Sequence, residues 1–244
     1  MVRTIAHAHE PFQNANCDKP QGRVGRFPMT TPACQLYLIS PLDVSGDFPD
    51  RLARALDTAA ELGSPVAAFQ FRVKNVDEHA AVRLAEPLQK ICADRDVAFI
   101  VNDSISLAKR LGADGVHLGQ DDGSVAEARQ RLGRDAQIGV TCHDSRHFAM
   151  EAGEAGADYV AFGAFFPSET KETKHRPEPE LLTWWSALFE LPCVAIGGIT
   201  PANCGPLVSA GADFLAVSNA VWAGDEAEVI RAFVQAIAGA PRDA

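Results

Sequence analysis

Seven short segments carry the side chains that could do chemistry. In the first, Gln70, Arg72 and Lys74 alternate with Phe69, Phe71 and Val73. Alternate residues of a strand share one face, so two cations and an amide converge, a group suited to a phosphate or diphosphate. The competing reading is a buried ion-pair network with carboxylates from other strands. The second and third segments, Asn102-Asp103 and Gly119-Gln120-Asp121-Asp122, supply carboxylates. Carboxylates at neighbouring strand ends can share a hard divalent cation, and Mg2+ takes one or two of them together with phosphate oxygens. Asp103 also stands where it could cap a helix beginning near Ser104, and spacing leaves both roles open.

The fourth segment, Thr141-Cys142-His143-Asp144, offers a histidine that could act as general acid or base or simply hold a helix start. Cys142 would be a nucleophile only in an activating environment, which the sequence does not demonstrate. The fifth runs from Phe165 to Lys171 and places Ser168, Thr170 and Lys171 on one loop, suited to an oxyanion, although composition alone favours a polar surface loop. The sixth and seventh are Ile196-Gly197-Gly198-Ile199-Thr200 and Val217-Ser218-Asn219-Ala220. Paired glycines let a ligand approach the backbone, and amides at a helix start favour negative charge.

These segments need elements to position them. From Cys34 onward, short β-branched and aromatic runs alternate with stretches at helical spacing. Strands are predicted at Gln35–Ser40, Val66–Arg72, Val97–Val101, Gly115–Leu118, Gln137–Thr141, Tyr159–Phe162, Cys193–Ile196 and Phe214–Val217. Helical faces are formed by Leu52, Ala55, Leu56 and Ala59, and by Leu84, Leu88 and Ile91, the latter containing Pro87, which should kink or break it. Further helices are expected at Ser104–Leu111, Ser124–Leu132, Ser145–Gly153, Glu180–Phe189, Pro201–Ala210 and Glu226–Ala238. The tripeptide Gly-Ala-Asp precedes three strands, at Gly112, Gly156 and Gly211. Each glycine fits a left-handed helix terminus, so the repeat reads as a recurring helix–turn–strand joint.

Eight units of about 26 residues match a single (β/α)8 TIM barrel. A doubly wound open sheet is the alternative, but no Gly-x-Gly-x-x-Gly turn follows the first strand. In a barrel every one of the seven segments lies at the C-terminal ends of the strands, where such folds carry their sites, and the loops after strands seven and eight commonly hold phosphate. Two phosphorylated groups meeting over one metal is a transferase arrangement.

Length and charge narrow the class. The 244 residues suit one large domain, read as a loosely packed or disordered tail over 1–33 and a barrel over 34–244. A formal net charge of −10 argues against sequence-independent nucleic-acid binding. No apolar run nears the roughly 20 residues needed to cross a bilayer, so no membrane role is expected. The 6 cysteines include no Cys-x-x-Cys pair, and a chain this apolar needs no staples, so reduced thiols and a cytoplasmic location are expected. His7 and His9 in the tail are read as solvated. A homo-oligomer is compatible with the sequence, which does not set the oligomeric state.

Six of the segments, in order and at matching spacing from about Gln35 to Val221, resemble the thiamine phosphate synthase family. They are Gln70 to Lys74, Val101 to Asp103, Gly115 to Asp122, Gly139 to His143, Pro167 to Lys171, and Ile196 to Thr200. The resemblance implies that hydroxymethylpyrimidine diphosphate is joined to thiazole phosphate, giving thiamine phosphate and pyrophosphate. It implies that Gln70, Arg72, Lys74, Asn102, Thr141 and Lys171 bind the pyrimidine diphosphate, with Mg2+ at Asp103 and Asp122. It also implies that Ser168, Thr170, Gly198 and Ser218-Asn219 hold the thiazole phosphate. Arg72, Lys74 and Lys171 would stabilise charge on the departing pyrophosphate, and no enzyme nucleophile is required.

Three positions depart from the family pattern: Val73 replaces a glutamate, Asn219 a serine, and Phe165-Phe166 an aliphatic-aromatic pair. Val73 should point away from Arg72 and Lys74, and the Asn219 amide can still hold phosphate. Two rivals are a thiazole tautomerase-like isomerase using a histidine near His143, and a barrel that binds thiamine phosphate without turnover. The presence of Arg72, Lys74, Asp103, Asp122 and Lys171 separates the synthase from the isomerase.

Overall fold

The computed structural model describes residues 34–64, 66–167 and 175–241. Eight parallel strands close into one barrel in chain order, β1 through β8. They are β1 Gln35–Ile39, β2 Ala68–Phe71, β3 Ala98–Asn102, β4 Gly115–Leu118, β5 Gln137–His143, β6 Tyr159–Gly163, β7 Cys193–Ile196 and β8 Phe214–Val217. Closure comes from β1 against β8, with Gln35 opposite Phe214 and Tyr37 opposite Ala216. The helices are α1 Phe48–Glu61, α2 Glu78–Ala93, α3 Ile105–Leu111, α4 Val125–Leu132, α5 Arg146–Glu154, α6 Glu180–Leu188, α7 Gly205–Ser209, α8 Asn219–Trp222 and α9 Glu226–Gly239. The tail expected over 1–33 lies outside the described residues. Among the described residues no helix is long and apolar enough to cross a membrane.

Two apolar layers follow from strand alternation. Outward residues such as Leu36, Leu38, Phe69, Phe71, Phe99 and Val101 pack under the helices. Inward residues fill the barrel, where Ala68, Ala98, Ala161 and Ala216 leave space for Tyr37, Tyr159 and Phe214. At Gly139 even a methyl group would strike the Tyr159 ring, so the bare backbone admits that phenol.

The Gly-Ala-Asp joint recurs as a physical device. Gly112, Gly156 and Gly211 all have positive φ, at 59°, 90° and 100°, which lets the helix release the chain. The following aspartates then staple neighbouring strands. Asp114, Asp158 and Asp213 accept from the backbone N–H of Phe99, Ile138 and Cys193 at 2.7, 2.7 and 2.9 Å. Each aspartate's own N–H donates back to the carbonyl of the same residue, at 3.1, 2.8 and 3.0 Å. Burial, only partly offset by the bond from Phe99, pushes the Asp114 carboxyl above the usual range.

Two expectations are corrected. Pro87 does not break α2, which runs unbroken from Glu78 to Ala93; Pro87 is exposed, so the carbonyl left without its N–H can face water. The helix expected over Pro201–Ala210 is confined to Gly205–Ser209. Asn203 intervenes, accepting from Thr200 N–H at 2.8 Å and donating to Gly198 carbonyl at 3.0 Å, and such side-chain bonds compete with helix.

Candidate active site

The diphosphate side is built on β2. Ala68 and Gln70 face inward while Phe69 and Phe71 join the outer layer, so Arg72 inherits the inward direction at the strand's end. β1 holds it there. Ser40 Oγ accepts from Arg72 N–H at 2.8 Å and donates to Arg72 carbonyl at 3.1 Å, while Ser40 N–H donates to Gln70 carbonyl at 2.9 Å. Val73 packs on the outer layer, away from the cations. The Lys and Arg ion pairs among the described residues lie elsewhere: Arg51 and Arg54 with Glu226, Lys90 with Asp94, Arg95 with Asp57, Arg110 with Glu78, Arg129 with Asp158, and Arg131 with Glu127. Arg72 and Lys74 enter none of them, so the ion-pair network weighed for these cations is not formed among the described residues.

Asn102 ends β3 opposite His117 of β4, and Asp103 follows in a left-handed turn with φ of 65°. Its N–H donates to His117 carbonyl at 2.8 Å. The cap of α3 is Ser104, which accepts from Leu107 N–H at 3.1 Å, so the Asp103 carboxylate is released from that duty. The loop after β4 curls so that Asp122 Oδ2 accepts from Gly119 N–H at 2.9 Å. Asp103's carboxyl is held above the usual range, first by burial and then by the charge and hydrogen-bonding proximity of Asp122, with Lys74 and Arg72 opposing. Asp122, Lys74 and Arg72 therefore all lie near enough to act on the Asp103 carboxyl. Among the described residues no group of three His, Cys, Asp or Glu side chains could hold a metal. Two carboxylates beside a pair of cations would suit Mg2+, which keeps water and phosphate oxygens as its other ligands.

A buried chain of polar groups crosses the barrel below this point. Gln70 Nε2 donates to Tyr37 Oη at 3.0 Å, and Tyr37 and Tyr159 hydroxyls meet at 2.9 Å. Tyr159 Oη lies 3.0 Å from His117 Nδ1, and His117 Nε2 lies 2.8 Å from Thr141 Oγ1. Two expected site residues, Gln70 and Thr141, are thus its ends. Sequence reasoning missed Tyr37, His117 and Tyr159. The available signal was alternation: His117 stands between the outward Val116 and Leu118, hence inward in a barrel.

Across the mouth, Gly198 has φ of 62°, and a Cβ there would collide with the carbonyls of Pro167 and Phe166. The backbones after β6 and β7 touch at this point, and the position admits only glycine. Ser218 Oγ donates to Ser40 carbonyl at 3.4 Å, and Trp222 Nε1 donates to Ile39 carbonyl at 2.6 Å, tying the end of β8 to β1. Asn219 opens α8 and is exposed. Ser168, Thr170 and Lys171 lie outside the described residues. Cys142 is buried, and burial pushes its thiol up to about 12, so it is no nucleophile. Cys92, Cys193 and Cys204 are likewise buried free thiols, and Cys34 is also buried. His143, with φ of 53°, stacks on His175 at 4.9 Å, and His175 Nδ1 lies 2.8 Å from Asp144.

A family model described as thiamine monophosphate synthase matches residues 36–221. A thiamine-phosphate synthase of Erythrobacter litoralis is 70% identical over 208 residues, covering 84% of this chain and 96% of that protein. One from Rhodospirillum centenum is 54% identical over 189 residues, covering 78% and 89%. The solved structure of a thiamine phosphate pyrophosphorylase from Pyrococcus furiosus superposes with a TM-score of 0.72 at 27% identity, covering 84% of this chain and 95% of that one. With the barrel and its rim in place, these likenesses lead to one conclusion: the chain belongs to the thiamine monophosphate synthase family.

Proposed function

We propose that this chain is a transferase condensing 4-amino-2-methyl-5-hydroxymethylpyrimidine diphosphate with thiazole phosphate to give thiamine phosphate and pyrophosphate. What supports the reading is that Asp122, Lys74 and Arg72 all act on the Asp103 carboxyl, two carboxylates and two cations at the strand ends. Arg72 and Lys74 bind the diphosphate and stabilise the charge that gathers on it as the methylene C–O bond breaks. Lys171, which follows β6 in the chain, adds a third cation. Gln70, Asn102 and Thr141 orient the pyrimidine diphosphate, and Ser168, Thr170, Gly198, Ser218 and Asn219 hold the thiazole phosphate on the opposite side. The thiazole nitrogen attacks the methylene carbon, and the bonding pair leaves with pyrophosphate, so no enzyme nucleophile is needed. Asp103 and Asp122 would hold Mg2+, which supplies charge neutralisation for the leaving group.

We place the enzyme in the cytoplasm, acting on small molecules rather than on nucleic acid or a membrane, with a homo-oligomer compatible with the barrel. The test is pyrophosphate release from purified protein. Release that requires both substrates and Mg2+ supports the synthase. Tight thiamine phosphate binding with no release would favour the binding-only barrel, and thiazole isomerisation without condensation would favour the isomerase.

A further inference from the structure

The turn after β8 that carries Ser218 and Asn219 cannot hold its own direction. α8 is 4 residues long. It is closed by Val221 and Trp222 N–H donating to Ser218 carbonyl at 2.9 and 3.1 Å, and by Ala223 N–H donating to Asn219 carbonyl at 3.0 Å. A single helical turn is costly to nucleate and leaves its last carbonyls without partners, so its orientation has to come from outside. Arg51, near the start of α1, supplies it. Arg51 Nη2 donates to Trp222 carbonyl at 3.0 Å and to Gly224 carbonyl at 2.9 Å. Arg51 Nε donates to Glu226 Oε2 at 2.8 Å, and Arg54 Nε donates to Glu226 Oε1 at 2.7 Å. Glu226 is buried, and with both oxygens engaged it holds the Arg51 guanidinium in plane. The bond from Nε to Glu226 alone would join α1 to α9. The two bonds from Nη2 go past it, to the backbone of the turn.

A second tie runs to β1. The buried Trp222 donates from Nε1 to Ile39 carbonyl at 2.6 Å, and its ring meets Phe48 of α1 edge-on at 4.9 Å. We propose that Arg51 and Trp222 are positioning residues, a clamp that holds α8 against β1 and the start of α1 and so fixes where Ser218 and Asn219 meet the thiazole phosphate. The clamp deepens the proposed function and rests on it for the identity of the ligand. Both side chains act through the backbone of the turn rather than on the ligand.

Arg51→Met keeps the aliphatic stem and removes the bonds to Trp222, Gly224 and Glu226. In condensation assays of the full chain with Mg2+ it should raise KM for the thiazole phosphate by about 10-fold, with kcat within about threefold of the parent and KM for the pyrimidine diphosphate within about twofold. Arg54→Met is the control: Arg54 is the more exposed partner of Glu226, and its loss should leave both KM values within about twofold. Should Arg51→Met fail to fold, Trp222→Phe removes the indole N–H, keeps a ring against Phe48, and is expected to raise the thiazole phosphate KM in the same way. Unchanged KM values beside a lowered Tm would make the clamp a stabilising contact only and overturn the proposal. An equal rise in both KM values, or the same rise in Arg54→Met, would overturn it too. Absence of pyrophosphate release by the unsubstituted protein would instead overturn the proposed function. Calorimetric affinity for thiamine phosphate, expected to weaken about 10-fold in Arg51→Met, would then still read the clamp, and an unsubstituted protein that binds no thiamine phosphate would overturn both.

Discussion

Asp122→Asn removes one of the two carboxylate charges that meet at the rim, and its consequences for stability and for turnover have opposite signs. Asparagine can still accept the 2.9 Å bond from Gly119 N–H through its side-chain oxygen, so the loop keeps its curl. Asp103 titrates above its ordinary 3.8 because of burial and then Asp122. A carboxyl raised in the folded state binds protons more readily there than in the unfolded chain, so its penalty is present above the folded pKa and fades as pH falls through it toward 3.8. Close like charges cost about 4 kcal/mol at 4 Å in a medium of dielectric 20. Asp103 is only partly buried, and solvent screening brings this nearer ~1 kcal/mol. In a domain of this size that corresponds to about 2–4 °C in Tm. Metal-free Asp122→Asn should therefore melt about 2–4 °C above the parent at pH 7.5, with the difference gone near pH 4. Pyrophosphate release at limiting Mg2+ should fall by at least ~100-fold. A lower Tm in metal-free buffer, a gain that persists at pH 4, or turnover within about threefold of the parent would each refute the reasoning.

Gly139→Ala should cost about 1–3 kcal/mol in urea unfolding, because the added methyl overlaps the Tyr159 ring; an unchanged midpoint would contradict that packing. Cys142→Ala should keep kcat within about threefold of the parent, since the thiol is buried and protonated, and a hundredfold loss would restore the nucleophile to consideration. Lys171→Ala should raise KM for the pyrimidine diphosphate by about 10-fold or more while moving that of the thiazole phosphate little; equal losses in both would place the lysine between the two ligands instead.

The strands were legible because each combines a short apolar run with alternation, and the polar members of that alternation at Gln70 and Arg72 pointed straight into the barrel. The Gly-Ala-Asp repeat was legible as a joint, but not as a staple. Each aspartate's partner lies on the preceding strand, 15 to 20 residues away, and that register exists only once the sheet forms. The Tyr37–Tyr159 contact spans 122 residues, so closure of the ring, and nothing local, brings the two hydroxyls together. Asp103 and Ser104 competed for one cap, and the left-handed turn at Asp103 settled it in favour of Ser104. The shortened α7 has a similar cause, since the Asn203 side chain takes the bonds a helical backbone would have made.

The most direct measurement is a crystal structure of the protein with Mg2+, pyrophosphate and thiamine phosphate bound together. Asp103 and Asp122 are expected on the metal, Arg72 and Lys74 on pyrophosphate oxygens, and the thiazole phosphate against Gly198 and Ser218. A metal held without either aspartate, or a pyrophosphate seated away from Arg72 and Lys74, would contradict the account.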